Sequence, residues 1–196
     1  MTKRKGAAAE DTQEVILKCA TKEFCEKGYE KASLRHICSM AGVTTGAVYC
    51  FFDGKEDLLV NVIKPILNIV NVISVEFEKI LFNDYSDFDR FERFYSCNRD
   101  IYSILHNNRN NPVVFKYISC INDEFCSQIS KMLRKVIPEN KDIPSVFDDY
   151  MLNSFTDIMV FSIIKIIAEE ADDAVVKKRL ITFVKIFRNG IISLIE

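Results

Sequence analysis

The sequence predicts an all-α protein in which a small three-helix unit at the N-terminus precedes a larger helical part. Three observations carry this reading. Apolar residues recur at three- and four-residue intervals from Asp11 onward, strand-like alternation bounded by turn pairs is absent, and glycines near the start leave room only for short helices.

Residues 1–10 have no apolar period and are expected to be a mobile tail, with Lys3, Arg4 and Lys5 as a basic arm. Ile16, Ala20 and Phe24, supported by Leu17, repeat at i, i+4, i+8 ahead of Gly28, which places a first helix over 12–27. Leu34, Ile37, Cys38 and Ala41 repeat at i, i+3, i+4, i+7 behind Ser33, a good N-cap, so a second helix covers 33–40 and ends at Gly42. Thr44 is placed to cap a third short helix in which Val43 and Val48 face inward. Asp53-Gly54-Lys55-Glu56 reads as a capping box, with Glu56 reaching back to open a fourth helix over 54–82. Pro65 is a candidate kink. Breaks at 83–87, 107–112 and 138–144 then divide the remainder into helices at 87–106, 112–136, 145–169 and 172–195.

Of the 196 residues, 48% are hydrophobic and 28% charged, which excludes disordered and fibrous classes. Seven cysteines stand singly, without a C-x-x-C pair, and only His36 and His106 are histidines, so no metal site or cofactor is expected. The unpaired cysteines fit a reducing compartment, and no uninterrupted apolar run approaches the ~20 residues that span a bilayer. A soluble, cytoplasmic chain with no membrane partner is expected. The motifs of common hydrolases and nucleotide-binding enzymes are missing, so no catalytic residues are assigned and the chain is read as a non-enzyme. Residues 1–58 carry nine basic and nine acidic residues, leaving 17 and 19 for 59–196. Within the first part, the stretch from Ser33 to Phe52 contains Arg35 and no acid, which marks where a phosphate backbone could approach.

Two short helices joined by a tight glycine turn, with an apolar helix before them, satisfy the requirements of a helix-turn-helix. The second would project Thr44, Thr45, Gly46 and Tyr49 toward a DNA groove, where small side chains permit close approach to base edges.

These residues also carry a family resemblance. The patterns T-x-E-x-I-L-x-x-A-x-x-x-F-x-E-K-G-Y from Thr12, S-L-x-x-I from Ser33 and A-G-V-T-x-G-x-V-Y-x-x-F-x-x-K-E-x-L from Ala41 closely resemble the DNA-binding domain of TetR-family transcription regulators. The resemblance implies an N-terminal helix-turn-helix domain over 1–58 and an effector-binding and dimerisation domain over 59–196. It implies that Thr44, Thr45 and Gly46 open the recognition helix, that Tyr49 and Lys55 contact phosphate, and that Ser33 and Arg35 touch the backbone. Cys50 and Phe51 stand where the family often carries groups such as tyrosine or histidine, so no phosphate contact is assigned to Phe51.

For 59–196 no motif can be carried over, and physical reading alone remains. Leu180, Val184, Phe187 and Ile191 step at the spacing of a buried seam, and the preceding segment containing Met159 and Ile166 is apolar nearly all round. These six residues form the expected dimer interface. Aromatic and polar residues in the middle helices, namely Phe91, Tyr95, Asn98, Tyr102, Phe115, Tyr117 and Phe155, form the expected pocket for a small hydrophobic or aromatic effector. The expected function is sequence-specific operator binding by a homodimer, with release on effector binding. The alternative is a helical small-molecule-binding protein that does not read DNA. Cys97, Cys120 and Cys126 admit a redox-sensing reading, although buried cysteine commonly behaves as a small hydrophobe.

Overall fold

Ile16, Ala20 and Phe24 are fully buried and form the inner face of the first helix in a computed structural model that describes residues 2–67, 88–136 and 148–195. That helix, α1 (Thr2–Lys31), starts ten residues before the expected start at residue 12. The expected tail is helical because Ala7 to Ala9 are strong helix formers and propagate the ladder without needing packing. The side chains of Lys3, Arg4 and Lys5 lie outside the described residues.

Gly28 interrupts α1 at φ 74° and ψ 160°, a region that belongs almost wholly to glycine. The chain then makes one more turn, closed by the Ala32 N–H donating to the Gly28 carbonyl at 3.1 Å. The turn buries Tyr29 against Phe24, with ring centroids 5.8 Å apart. It also aims the Tyr29 N–H at Asn108 Oδ1, 2.8 Å away.

Helix α2 (Leu34–Ala41) buries Ile37 and Cys38 and ends on Gly42 at φ 66°. The Val43 N–H donates to the Cys38 carbonyl and the Gly42 N–H to the Ser39 carbonyl, the paired bonds of a Schellman motif. Helix α3 (Thr45–Tyr49) follows, capped by Thr44 as expected. Helix α4 covers 55–67 and is helical through Pro65. Its buried stripe of Leu58, Leu59, Val62, Ile63 and Ile66 is continuous across the boundary expected between the two parts. The remainder of the predicted fourth helix, the break at 83–87 and the loop at 138–144 lie outside the described residues.

The single helix expected over 87–106 is two: α5 (Phe88–Cys97) and α6 (Arg99–Asn107). The break falls at Asn98, whose side-chain amide donates to the Phe94 carbonyl at 2.8 Å and competes with the helical ladder. Helix α7 (Pro112–Val136) has the predicted bounds. Asn111 caps it, its Oδ1 accepting from the Val113 and Val114 amides, and Pro112 takes the first position, where no N–H is needed. Helices α8 (Asp149–Glu169) and α9 (Asp173–Ile195) complete the chain, and there is no strand among the described residues.

Helix α6 is central, packing on α8 on one side and α1 on the other, while α7 and α9 also lie on α8. By length and composition α8 is apolar enough to cross a membrane, although its uninterrupted apolar runs stay short. Asp157 and Lys165 interrupt its apolar run without lowering its average much. In this fold α8 instead supplies Leu152, Thr156, Met159, Val160, Ile163, Ile164 and Ile167 to the interior.

Gly28 generates a direct test. A Cβ there would sit 2.9 Å from Asn108 Oδ1 in a conformation closed to other residues. Gly28→Ala is expected to lower unfolding free energy by about 1–3 kcal/mol, read as a lower urea midpoint at unchanged m-value. A variant as stable as the parent would contradict this account of the turn.

Candidate nucleic-acid interface

The candidate interface begins with a helix too short to hold itself. Helix α3 has five residues and one fully buried side chain, Val48, so its orientation is set by that anchor, by the Gly42 turn before it and by the Thr44 cap. Thr44 Oγ1 accepts the Ala47 N–H at 3.2 Å. With Val48 inward, Thr44, Thr45, Gly46 and Tyr49 face out, and Tyr49 is 57% exposed. Ser33 and Arg35 are also exposed, at the start of α2. A tyrosine presented this way offers a flat apolar face and a hydroxyl that can donate to a phosphate oxygen.

Two expected roles change. Ser33 does not cap α2 with its hydroxyl. Instead its N–H donates to Glu23 Oε1 at 3.1 Å, and Glu23 Oε2 lies 2.6 Å from His36 Nδ1. Glu23 is a buried carboxylate on the inner stripe of α1, and that position, seven residues after Ile16, was its only sequence signal. Burial raises its pKa, but hydrogen bonds from His36 and the Ser33 amide, with the charges of His36 and Lys27, outweigh burial and hold the carboxyl below its ordinary 4.5. Glu56 likewise does not reach back to complete a capping box. The Asp53 N–H donates to Asp57 Oδ2 at 2.9 Å, because Asp57, not Glu56, stands one turn into α4.

Lys55 is committed to the fold. Its ammonium donates to the Glu30 carbonyl at 3.0 Å and the Ala32 carbonyl at 3.5 Å, and lies 4.8 Å from the Tyr29 ring centroid. At most one of its three N–H donors is left for a phosphate. Phe51 is half-buried beside Phe52 and packs on the core.

This architecture of buried stripe, glycine turn and outward α3 coincides with a described family. Residues 16–62 match the family described as "Bacterial regulatory proteins, tetR family". The N-terminal head of this chain carries the TetR-family segment. Its TetR segment is 39% identical over 61 residues to the HTH-type transcriptional repressor BepR of Brucella suis biovar 1, covering 31% of this chain and 29% of BepR. It is 41% identical over 59 residues to the HTH-type transcriptional regulator SrpR of Pseudomonas putida, covering 30% and 28%. The matched stretch thus spans under a third of either relative. Solved structures extend the likeness in fold. Salmonella enterica GusR aligns with TM-score 0.59 at 16% identity over 94% of this chain and 95% of GusR, and a transcriptional regulator from Aquifex aeolicus VF5 with TM-score 0.58 at 18% identity over 90% and 99%. The fold is therefore all-α, with an N-terminal helix-turn-helix head and a C-terminal helical domain.

The TetR head is fastened to that second domain by a row of polar contacts. Beyond the Tyr29–Asn108 bond, Asn111 Nδ2 donates to Glu30 Oε2 at 2.9 Å, and the Cys25 thiol to the Asp100 carbonyl at 3.4 Å. Burial pushes the Cys25 thiol up to about 11, with the charges of Asp100 and Glu26 adding to the effect. Glu56 Oε1 accepts from the Tyr117 hydroxyl at 2.9 Å and from Lys116 at 3.2 Å.

The residues expected in the effector pocket do not form one cluster. Tyr117 belongs to this junction, and Phe115 is exposed because the inward stripe of α7 is Val114, Ile118, Ile121 and Phe125. Phe91 and Tyr95 meet edge to face with centroids 5.5 Å apart, and the Tyr95 hydroxyl donates to the Asp173 carbonyl at 3.2 Å. Asn98 is spent on the α5–α6 break, and Phe155 packs edge-on against Phe187. Of these seven, Tyr102 lines a cavity formed among the described residues. That cavity, about 390 Å³ counted out to its mouth, is otherwise walled by Ile66, Ile121, Phe125, Val160, Ile163 and Ile164. The aromatic reading missed this aliphatic wall, whose only signal was the inward spacing of α4, α7 and α8.

The expected dimer seam is also corrected. Met159, Leu180 and Val184 are buried within the protomer, since a helical apolar stripe does not distinguish its own core from a partner. Ile166 and Phe187 are partly buried against that core, and the Ile191 side chain lies outside the described residues. Among the described residues, the large apolar side chains left exposed on α8 and α9 are Tyr150 at 77%, Ile158 at 58% and Ile186 at 69%.

Glu23 sets a pH test. A carboxyl held below 4.5 contributes stability that is complete above that value and is lost as pH falls through its folded pKa. Glu23→Gln is expected to cost about 1–3 kcal/mol at neutral pH. Its thermal midpoint should also fall less steeply than the parent's between roughly pH 5 and 3. Parallel pH curves would remove Glu23 from the account.

Proposed function

We propose that this chain is a one-component transcription regulator that reads double-stranded operator DNA as a homodimer and responds to a small apolar effector. The observation that carries the proposal is the outward face of Thr44, Thr45, Gly46 and Tyr49, fixed from behind by Val48 and set in a stretch without acids. Thr45 and Gly46 meet base edges, while Thr44, Tyr49, Ser33 and Arg35 meet sugar and phosphate, with Lys55 adding at most one donor. The names of BepR and SrpR, as repressor and regulator, support the same reading.

Residues 1–58 act as the reader and 59–196 as the effector-binding and dimerisation domain. Because α4 runs unbroken through residue 58, the two parts share a helix instead of a linker. Pairing through the exposed faces of α8 and α9 would place two readers on one side of a duplex, as needed for half-sites about 34–36 Å apart. Repression is the default mode. An effector among the central helices shifts α4 and separates the readers from that spacing, so operator affinity falls. Linkage requires the operator to weaken effector binding by the same factor. The site of action is the cytoplasm.

Fluorescence anisotropy of a labelled duplex tests the reader. Affinity should fall steeply with salt, as expected when several phosphates are neutralised. Tyr49→Ala and Arg35→Ala should each weaken binding about tenfold without lowering thermal stability. Lys55→Ala should weaken binding and also destabilise the chain by about 1 kcal/mol or more, because two carbonyls lose their donor. Binding that is indifferent to salt and to Tyr49→Ala would refute the proposal and favour a binding protein that does not read DNA.

A further inference from the structure

The cavity between α4, α6, α7 and α8 carries more chemistry than its size suggests. Six of its lining residues, Ile66, Ile121, Phe125, Val160, Ile163 and Ile164, are hydrocarbon, and among the described residues no charged side chain lines it. The seventh, Tyr102, is 1% exposed, and its hydroxyl has no hydrogen-bond partner. Buried phenols are almost always paired, because an unpaired hydroxyl forfeits the bonds it made to water. The polar side chains that precede Tyr102 in sequence are engaged elsewhere, whereas Asn122 Oδ1 on α7 is also buried without a partner. Asn98 donates to Phe94, Tyr95 to Asp173, and Arg99 to the carbonyls of Ile167 and Glu170 and to the Asp173 carboxylate.

We infer that the occupant of this cavity is an uncharged, largely apolar molecule of one or two rings, with a single acceptor oxygen of the ketone, ester or ether type placed against the Tyr102 hydroxyl. The inference specifies the effector of the function proposed above and depends on that reading only for the consequence at DNA. Charge is excluded by the walls, since a carboxylate or ammonium here would lose its hydration and gain no counterion. An acceptor suits the site because the buried phenol, whose pKa burial raises, keeps its proton and has an unpaired O–H to donate. The enclosed part of the cavity is about 30 Å³ and the rest opens outward, so a ring is seated only as the walls move apart. One wall is Ile66 of α4, the helix shared with the reader, so an occupant touches the element that its binding must move.

The test is calorimetric titration of the full chain with three probes on one skeleton: 2-acetylnaphthalene, its hydrocarbon counterpart 2-ethylnaphthalene, and the anion 2-naphthoate. The ketone should bind about tenfold tighter than the hydrocarbon, and the anion at least about tenfold weaker than the ketone. Tyr102→Phe should bring ketone and hydrocarbon within about twofold of each other. The unliganded variant should melt no lower than the parent, because the hydroxyl holds nothing in the empty protein. A ketone preference that survives Tyr102→Phe, an anion that binds as well as the ketone, or no binding by any probe would overturn the inference. Repeating the titration on the duplex-bound chain separates this claim from the one it builds on. Tyr102-dependent ketone binding that leaves duplex affinity unchanged supports the cavity's chemistry and overturns release by the effector. Failure of all three probes with salt-sensitive duplex binding intact overturns the cavity's chemistry and leaves the reader standing.

Discussion

The structure depends on how the backbone polar groups are satisfied where α1 turns into α2. Between Gly28 and Ser33 the chain leaves the regular helical ladder, and its amides and carbonyls need partners from elsewhere. Asn108 takes the Tyr29 amide, Lys55 takes the carbonyls of Glu30 and Ala32, and Glu23 takes the Ser33 amide. These partners come from the start of α4, from the inner face of α1 and from the loop after α6. One corner thus fixes the angle between α1 and α2, the seat of α4 and the docking of the head on the helical domain. Only glycine can open that corner, because the backbone there adopts a conformation that other residues avoid.

Much of this fold was legible in the sequence because its helices are amphipathic and their ends carry ordinary signals. The stripe of Ile16, Ala20 and Phe24, the Gly42 stop, the Thr44 cap and the Pro112 start all express local rules, and each appears where those rules place it. Local rules fail where a distant group replaces the local one. Ser33 has the right residue type for a cap, yet Glu23, ten positions earlier, accepts its amide. Lys55 looks like a surface cation in sequence but is drawn to carbonyls more than twenty residues away. Apolar spacing has the same blind spot, since Met159, Leu180 and Val184 would look alike whether buried by their own chain or by a partner. The aliphatic wall around Tyr102 was hidden for a related reason: aromatic residues attract attention as ligand contacts, while isoleucines read as core.

The junction between head and helical domain gives the proposed switch its physical form. Glu56 at the start of α4 is held by Tyr117 and Lys116 of α7, and Glu30 at the end of α1 by Asn111. Ile66, two turns further along α4 than Leu59, lines the cavity. A displacement of α4 at Ile66 therefore acts on a helix whose other end is pinned to both α1 and α7. Packed helices and paired polar groups resist graded deformation, so such a displacement is expected to move between discrete arrangements.

The central claim is that the short rod around Thr44 to Tyr49 selects particular duplexes, and that two copies do so together. Selecting bound duplexes from a random pool with the full chain tests it most directly. The account predicts enrichment of inverted repeats whose half-site centres lie about one helical turn apart, or a multiple of it. A pool that remains unenriched after repeated rounds, while the chain stays folded, would contradict it.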